Sequence, residues 1–200
     1  MILLVVLAFA LVVGLLRGGK LSHIVDLPLK LGWLALLAFA AQVYLTRFPA
    51  DRGGGLFSLR AGILILSYIL LFVVVWKNRR LAGLRIIGLG LLLNFLVMVA
   101  NGGFMPITPE ALTQAGYASL VPSLESGVRV GRSKNILLTR EETRLWFLSD
   151  IFVLPQSVPL SRVFSPGDVL IAVGAFILVQ SGMLGQSQRG SPRLYPDGPL

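Results

Sequence analysis

Five long apolar stretches, each nearly free of charge, constrain this chain more than any other feature of its sequence. They cover approximately residues 2–16, 29–45, 61–76, 84–100 and 169–184. A charged residue at the centre of a membrane span costs at least ~2.5 kcal/mol, so Lys and Arg are expected at the ends of such stretches, as they are here. A soluble domain of 200 residues does not need this much apolar sequence. The pattern predicts an integral membrane protein.

The length of each stretch indicates a helix. About 15–18 clearly apolar residues lie near the lower limit for a helix that crosses a ~30 Å hydrocarbon layer, and an open sheet edge is not tolerated in lipid. The predicted fold class is all-α, a five-helix transmembrane bundle that forms one membrane domain over residues 1–184. Residues 101–168 form a predicted helical extracytoplasmic cap between helices four and five. Residues 185–200 form a predicted disordered cytoplasmic tail, because they are rich in Gly, Pro, Ser and charge.

The composition supports this class and excludes others. The chain is 55% hydrophobic and only 14% charged, whereas globular proteins carry about 25% charged residues. The net charge of +9 would suggest nucleic acid in a soluble protein, but here the basic residues flank apolar stretches and predict contact with membrane lipids, not nucleic acid. The absence of cysteine excludes disulfides and thiolate sites. A single histidine excludes the histidine-based zinc motifs, and no metal or cofactor is predicted.

The distribution of basic residues predicts the orientation. Charges in short connections near span ends decide topology, whereas a segment of about 60 residues counts little. Nine Lys and Arg residues lie in the first and third connections and the tail, against three in the second connection. The N-terminus is therefore predicted outside the bacterial cytoplasmic membrane and the C-terminus inside the cytoplasm. The first stretch is followed, not preceded, by basic residues, which predicts a retained span and not a signal peptide.

The cap begins abruptly after the fourth stretch. Asn101 is followed by Gly102 and Gly103, which release the backbone from helical geometry, and by Pro106, which prevents the helix from resuming. The sequence TPE at 108–110 then predicts a short helix from residue 109 to about residue 119, with a threonine N-cap and a proline in the first turn.

Two further helix starts follow in the cap. The sequence TREE at 139–142 matches a capping box and predicts a second helix from residue 140 to about residue 152, interfacial because it is apolar but too short to cross. The sequence SPGD at 165–168 predicts the start of the fifth span, with Asp168 at the positive end of the helix.

Several segments together resemble a known family. The runs NGGFMPITPEAL at 101–112, SKN at 133–135, LWFLSDIFVLP at 145–155 and FSPGDVLIAVG at 164–174 are similar to segments of domain of unknown function family 5317, and so is the opening RGGKLSHIVDLPLKLGWLALLAFAAQ at 17–42. The resemblance covers roughly residues 1–185. It implies a bacterial inner-membrane location and supplies no activity, substrate or catalytic residue.

Two acids in the cap are the main candidates for chemistry. Asp150 and Asp168 could act as an acid–base pair or hold a divalent cation. The alternative is structural: Asp168 belongs to a helix start, and Asp150 pairs with Arg144, Arg162 or Lys134. The structural alternative is the stronger one, because each acid has an ordinary explanation.

The remaining candidates are suited to an anion. Lys134 is placed to attract an anionic headgroup or phosphate, and Asn135 and Asn101 to hydrogen-bond it. The backbone amides of Gly102 and Gly103 could add an anion nest, although a double glycine is more often a sharp helix exit. The predicted polar cluster therefore contains eight residues: Asn101, Gly102, Gly103, Lys134, Asn135, Asp150, Arg162 and Asp168.

Three functions fit the sequence. The favoured one is a non-enzymatic accessory or binding protein whose cap contacts a lipid headgroup or a partner membrane protein. A membrane-embedded enzyme acting on a lipid or isoprenoid substrate is the alternative, although no recognised catalytic constellation is present. The third is an oligomeric transporter subunit, which is disfavoured because the interior of no span carries a charged residue. The predicted partners are membrane lipids and either another membrane protein or a second copy.

Overall fold

The computed structural model describes residues 2–47, 59–123, 125–131, 133–154 and 163–185. The described chain is mostly helical. Its five long helices are α1 (Ile2–Leu16), α3 (Gly32–Arg47), α4 (Leu59–Lys77), α5 (Leu84–Ala100) and α7 (Pro166–Met183). Two short helices, α2 (Ser22–Val25) and α6 (Pro109–Leu112), lie in the connections. The long helices fall on the five predicted stretches, with ends that differ by at most three residues.

Two of the long helices have the length and composition of membrane spans. The helix α4 has 19 residues and α7 has 18, and both are strongly apolar. The other three are also apolar but shorter, with 15 residues in α1, 16 in α3 and 17 in α5. A mostly helical fold with two candidate membrane spans is thus established for the described residues.

The long helices pack in the order α3, α4, α5, α7 and α1. Glycines allow the close approach of α5 and α7, because a Cβ atom added at Gly90 would lie 2.5 Å from the carbonyl oxygen of Gly167. The same applies just before the start of α5, where a Cβ atom added at Gly83 would clash with the carbonyl oxygen of Gly174. Small residues at such crossings let helix backbones touch.

Aromatic side chains fill the space between α4 and α5. The ring of Tyr68 lies 5.1 Å from that of Phe95 and 6.2 Å from that of Phe72, measured between centroids. Phe72 and Phe95 meet edge to face at 5.8 Å. Aromatic pairs at these separations contribute beyond their buried area, so this cluster fixes the spacing of the two helices at mid-length.

Polar residues inside the helices bind neighbouring helices. Gln180 of α7 donates a hydrogen bond to the carbonyl oxygen of Ala10 in α1 at 2.6 Å, and it accepts one from Arg17 at 3.0 Å. Gln42 of α3 donates to the hydroxyl of Ser67 in α4 at 3.3 Å. These contacts explain why polar side chains are tolerated in an apolar bundle.

The described connections between the long helices lie at two opposite ends of the bundle. At one, called here the loop end, the side chain of Asn78 bonds both the N–H and the carbonyl oxygen of Lys30, at 2.8 and 2.7 Å. The N–H of Lys20 donates to the carbonyl oxygen of Met183 there. At the other end the residues that follow α5 form the cap.

The cap contains strands as well as helical turns. The strand β1 (Met105–Ile107) pairs in parallel with β2 (Asn135–Leu137), and β3 (Phe152–Val153) pairs antiparallel with β4 (Val163–Phe164). The all-α prediction is therefore wrong for the cap, although it holds for the bundle. Parallel pairing joins segments that are about 30 residues apart, a contact that no local pattern predicts.

The first cap helix begins as predicted. The hydroxyl of Thr108 accepts a hydrogen bond from the N–H of Ala111 at 3.2 Å, and Pro109 occupies the first turn. The regular helix ends at Leu112, however. The chain then forms a π-helical turn over Thr113–Tyr117, in which Gly116 adopts φ 87°, followed by a 3₁₀-helical segment over Ala118–Ser123.

The second predicted cap helix, from residue 140 to about residue 152, is wrong. The capping-box bonds do form: the N–H of Thr139 donates to the Glu142 carboxylate at 3.0 Å, and the N–H of Glu142 donates to the Thr139 hydroxyl at 3.4 Å. The chain then leaves helical geometry at Leu145, with φ 55°. Only a single 3₁₀ turn, Trp146–Leu148, follows in the described part of this segment.

A tertiary contact explains this departure. The side-chain amide of Asn101 donates to the carbonyl oxygen of Arg144 at 2.8 Å and accepts from the N–H of Arg144 at 3.1 Å. These two backbone groups are then not available for a helix, because a helix would use both within the segment. The contact with α5 outweighs the local helix signal.

Candidate functional site

The pairing of β1 with β2 positions the first part of the site. The N–H of Met105 donates to the carbonyl oxygen of Lys134 at 2.9 Å, and Met105 is fully buried above α5. This register brings Lys134 and Asn135 to the cap face of the bundle. Two residues that the sequence places far from α5 are thereby fixed beside it.

A third segment adds Asp150. Its backbone N–H donates to the carbonyl oxygen of Pro106 in β1 at 3.2 Å, and its carboxylate accepts a hydrogen bond from the side-chain amide of Asn135 at 2.7 Å. Only 3% of the Asp150 side chain is exposed. The carboxylate is therefore held inside the cap by a backbone bond and a side-chain bond.

The start of α7 supplies Asp168. Ser165 is the N-cap, and its hydroxyl accepts from the N–H of Asp168 at 3.0 Å while the Asp168 carboxylate accepts from the N–H of Ser165 at 3.3 Å. Asn94 of α5 donates to the other carboxylate oxygen at 2.8 Å and accepts from the Ser165 hydroxyl at 2.7 Å. The capping box is thus locked onto the neighbouring helix.

Lys134 joins the two acids. Its ammonium nitrogen Nζ lies 3.4 Å from Oδ2 of Asp168 and 3.9 Å from Oδ1 of Asp150. These three side chains are called the charge cluster below. One cation faces two carboxylates, so the charge cluster carries a formal net charge of −1 when all three groups are ionised.

The surroundings shift the pKa values of Lys134 and Asp150. Burial lowers the pKa of Lys134, but the carboxylates of Asp150 and Asp168 outweigh it and the net effect raises that pKa above its usual value. Burial raises the pKa of Asp150, and the nearby Lys134 offsets only part of this. In the described residues Oδ1 of Asp150 is a buried oxygen with no hydrogen-bond donor, which agrees with the cost of ionising this group.

A cavity of about 170 Å³ lies directly beneath the charge cluster. Its walls come from α3, α4, α5 and α7. The apolar part is formed by Leu45, Leu64, Leu91, Met98 and Ile171, and the polar part by Gln42, Arg60, Tyr68, Asn94, Lys134 and Asp168. The cavity is therefore amphipathic, because apolar and polar side chains both line it.

The predicted polar cluster divides into two groups. Lys134, Asn135, Asp150 and Asp168 are brought together, as described above. Asn101 is bound instead to the backbone of Arg144 and of Val97, so it stabilises the exit from α5.

The other three predicted members have separate outcomes. Gly102 and Gly103 have φ of 70° and 90° and form the sharp helix exit, and Gly103 also lines the cavity. Arg162 lies outside the described residues. Among the described residues, the carboxylate of Asp150 pairs with Lys134 and Asn135 and not with Arg144.

Three residues of the site were not predicted as members. In the sequence, Asn94 is a polar residue inside a predicted span, and Ser165 belongs to the predicted helix start at 165–168, where Ser165 and Asp168 have the spacing of a capping box. Arg60 counted only as a charge at the end of a span. No pattern in the sequence linked Asn94 or Arg60 to the predicted polar cluster.

The site has no metal-binding group among the residues that the structure describes, since no three His, Asp or Glu side chains come together there. Neither the curated proteins nor the solved structures give a significant match to this chain. A family model does match, over residues 26–180, and its description is a family of unknown function. The match covers more than half of the chain and includes the charge cluster and every residue that lines the cavity, so the chain belongs to this family, DUF5317.

Proposed function

We propose that this chain is a multi-pass membrane protein that binds the polar end of an amphiphilic molecule in the cavity beneath its cap. In this proposal all five long helices cross the membrane, and the cap covers the bundle on the extracytoplasmic side. The binding role is not catalytic. Four features of the described residues support these points in turn.

The outward faces of the helices support membrane insertion. Large apolar side chains point away from the bundle on every long helix that the structure describes, among them Phe9, Leu36, Phe39, Leu66 and Trp76, which are more than half exposed. Burying apolar surface is worth roughly 25 cal/mol per Å², so such faces favour hydrocarbon over water. The shorter helices are about 22–26 Å long at ~1.5 Å per residue, which spans most of a ~30 Å layer.

The grouping of the loops supports the orientation. The loop end collects seven basic residues, namely Arg17, Lys20, Lys30, Lys77, Arg79, Arg80 and Arg85. Basic residues in short connections favour the cytoplasmic side. The cap, at the opposite end, is then extracytoplasmic.

The size of the cavity supports a headgroup as the occupant. A volume of about 170 Å³ compares with the ~300–1,000 Å³ of pockets that enclose a drug-sized ligand. It has room for a polar headgroup and the first carbons that follow it. The apolar tails would stay in the bilayer, alongside helices whose outer faces are apolar.

The hydrogen bonding of the acids favours binding over catalysis. One oxygen of Asp168 accepts from Asn94, and the other contacts Lys134 and the N–H of Ser165. Asp150 does not line the cavity. A general acid or base must reach the reacting group; Asp150 does not reach the cavity, and both oxygens of Asp168 already have hydrogen-bond partners. The observation that carries the proposal is the cavity beneath the cap, whose lining combines apolar side chains with polar and charged ones.

The test compares two adjacent leucines of α5. Leu91 lines the cavity, whereas Leu92 is exposed on the outer face. The full chain, purified in mild detergent, should carry a co-purified amphiphile that is detected by native mass spectrometry. We expect Leu91→Trp to lower its occupancy severalfold because the indole fills the cavity, and Leu92→Trp to leave it unchanged.

Thermal unfolding in the same detergent checks that both variants are folded. Full retention of the amphiphile by a folded Leu91→Trp protein would reject the cavity as the binding site. Equal loss in both variants would mean that the amphiphile belongs to the outer surface.

A further inference from the structure

The guanidinium of Arg60 lines the cavity with part of its hydrogen-bonding capacity unused. Its Nη1 donates to the carbonyl oxygen of Leu45 at 2.8 Å, and the group stacks on the ring of Phe104, 4.5 Å from its centroid. Its Nε is buried and has no acceptor among the described residues. A buried donor without an acceptor costs free energy, and the cost is removed when a ligand supplies one.

A second guanidinium lies beside that of Arg60. Arg129 of the cap donates from Nη2 to the same carbonyl oxygen of Leu45 at 3.2 Å, so the two guanidiniums are neighbours. Arg60 also stands in the first turn of α4, where the helix dipole is positive. An anion beside Arg60 would therefore be attracted by its guanidinium and by the positive end of α4.

The other cation in the cavity is already neutralised. Lys134 lies against both Asp150 and Asp168, and its capacity to attract an anion is reduced by two carboxylates. No described carboxylate pairs with Arg60. The sequence favoured Lys134 as the anion-binding residue, whereas the contacts favour Arg60.

We propose that the cavity binds a phosphate group through Arg60, with Nε as the donor that the ligand completes. This inference rests on the proposed function, since it assigns the headgroup chemistry of the amphiphile. An oxyanion suits the planar guanidinium because it can accept more than one N–H bond. Stacking on Phe104 holds the guanidinium in place before the ligand arrives.

The experiment uses two lipids with the same acyl chains. Dioleoylphosphatidylglycerol carries a phosphate, and dioleoylglycerol does not. We expect the full wild-type chain in mild detergent to bind the first about tenfold more tightly, since a charge-assisted hydrogen bond is worth roughly a factor of ten or more. Titration followed by native mass spectrometry gives both affinities.

The matched variants are Arg60→Gln and Arg85→Gln. Each arginine is the second residue of an apolar helix, but Arg85 is exposed at the loop end. We expect Arg60→Gln to lose the preference for the phosphate lipid while it still binds dioleoylglycerol, and Arg85→Gln to keep the preference. A third arm adds inorganic phosphate alone and records the shift in melting temperature.

The outcomes separate the two proposals. Equal affinity of wild type for both lipids would overturn the phosphate inference, even if Arg60→Gln does not fold. In that case, loss of both lipids in Leu91→Trp would leave the proposed function standing. A preference that persists in folded Arg60→Gln would also overturn it. Arg60-dependent stabilisation by inorganic phosphate without lipid binding would support the anion site and reject the amphiphile.

Discussion

Asn94 and Asp168 are joined by a hydrogen bond of 2.8 Å between α5 and the first turn of α7. The same asparagine accepts from the hydroxyl of Ser165, the N-cap of α7, and is only 4% exposed. One amide therefore holds the helix start that carries an acid of the charge cluster. The position of Asp168 in the cavity lining depends on this contact between two helices.

Removing that amide should destabilise the protein. We expect Asn94→Ala to lower the free energy of unfolding by about 1–3 kcal/mol, because buried partners in Ser165 and Asp168 lose their hydrogen bonds. Leu96→Ala, on the exposed face of the same helix, is the control and should change it much less. Thermal unfolding in detergent measures both. Equal effects in the two variants would contradict a structural role for the amide.

The glycine contact between α5 and α7 should be intolerant of a methyl group. We expect Gly90→Ala to cost about 1–3 kcal/mol through overpacking, since the new Cβ would meet the backbone of Gly167. Gly62→Ala in α4 is the matched control, because nothing lies within 4 Å of its added Cβ and alanine favours a helix by ~1 kcal/mol. The same unfolding assay should show a loss for the first and no loss for the second.

The buried carboxyl of Asp150 should make stability depend on pH. Burial raises its folded-state pKa above 3.8, so its contribution is fully present below pH 3.8 and is lost as pH rises through the raised pKa. Lys134, Asn135 and Asp168 are the groups that face it, and they are unchanged in Asp150→Asn. The melting temperature of wild type relative to this variant should therefore fall as pH rises from about 3.8. A difference that is constant across pH, or that grows, would contradict the prediction.

Single cysteines should report the orientation, since the natural chain has none. Glu125 is exposed in the cap and Arg80 at the loop end. In intact bacterial cells we expect a membrane-impermeant maleimide to label Glu125→Cys but not Arg80→Cys. Permeabilised cells should show labelling of both, which controls for reactivity. The reverse pattern in intact cells would place the cap in the cytoplasm.

The helices of the bundle could be predicted closely because their signal is local. The bounds of α1 and α5 are those of the predicted stretches, and the ends of α3, α4 and α7 differ by at most three residues. A charged residue is costly inside a long apolar run wherever that run packs. The run itself therefore marks where the helix begins and ends. The capping threonine Thr108 was predictable for the same reason, since its bond to Ala111 spans only three residues.

The cap shows where local signals fail. The capping box at Thr139 forms its bonds, but Asn101 captures the backbone of Arg144 from 43 positions away. The helix signal of the segment was correct for one turn and wrong beyond it. A pattern within the segment does not reveal that a side chain on another element, here Asn101, binds the same backbone groups.

By itself the sequence determined the apolar helices, the helix starts and the glycine exit from α5, because each depends on neighbouring residues and on the cost of moving charge into an apolar environment. Only the tertiary structure decided that Lys134 meets Asp150 and Asp168, residues 16 and 34 positions away, and that Arg60 faces the same cavity. Those meetings follow from the pairing of β1 with β2 and from the close crossing of α5 and α7. Both are contacts between distant segments, whose free energy is shared among many residues and is not carried by any short motif.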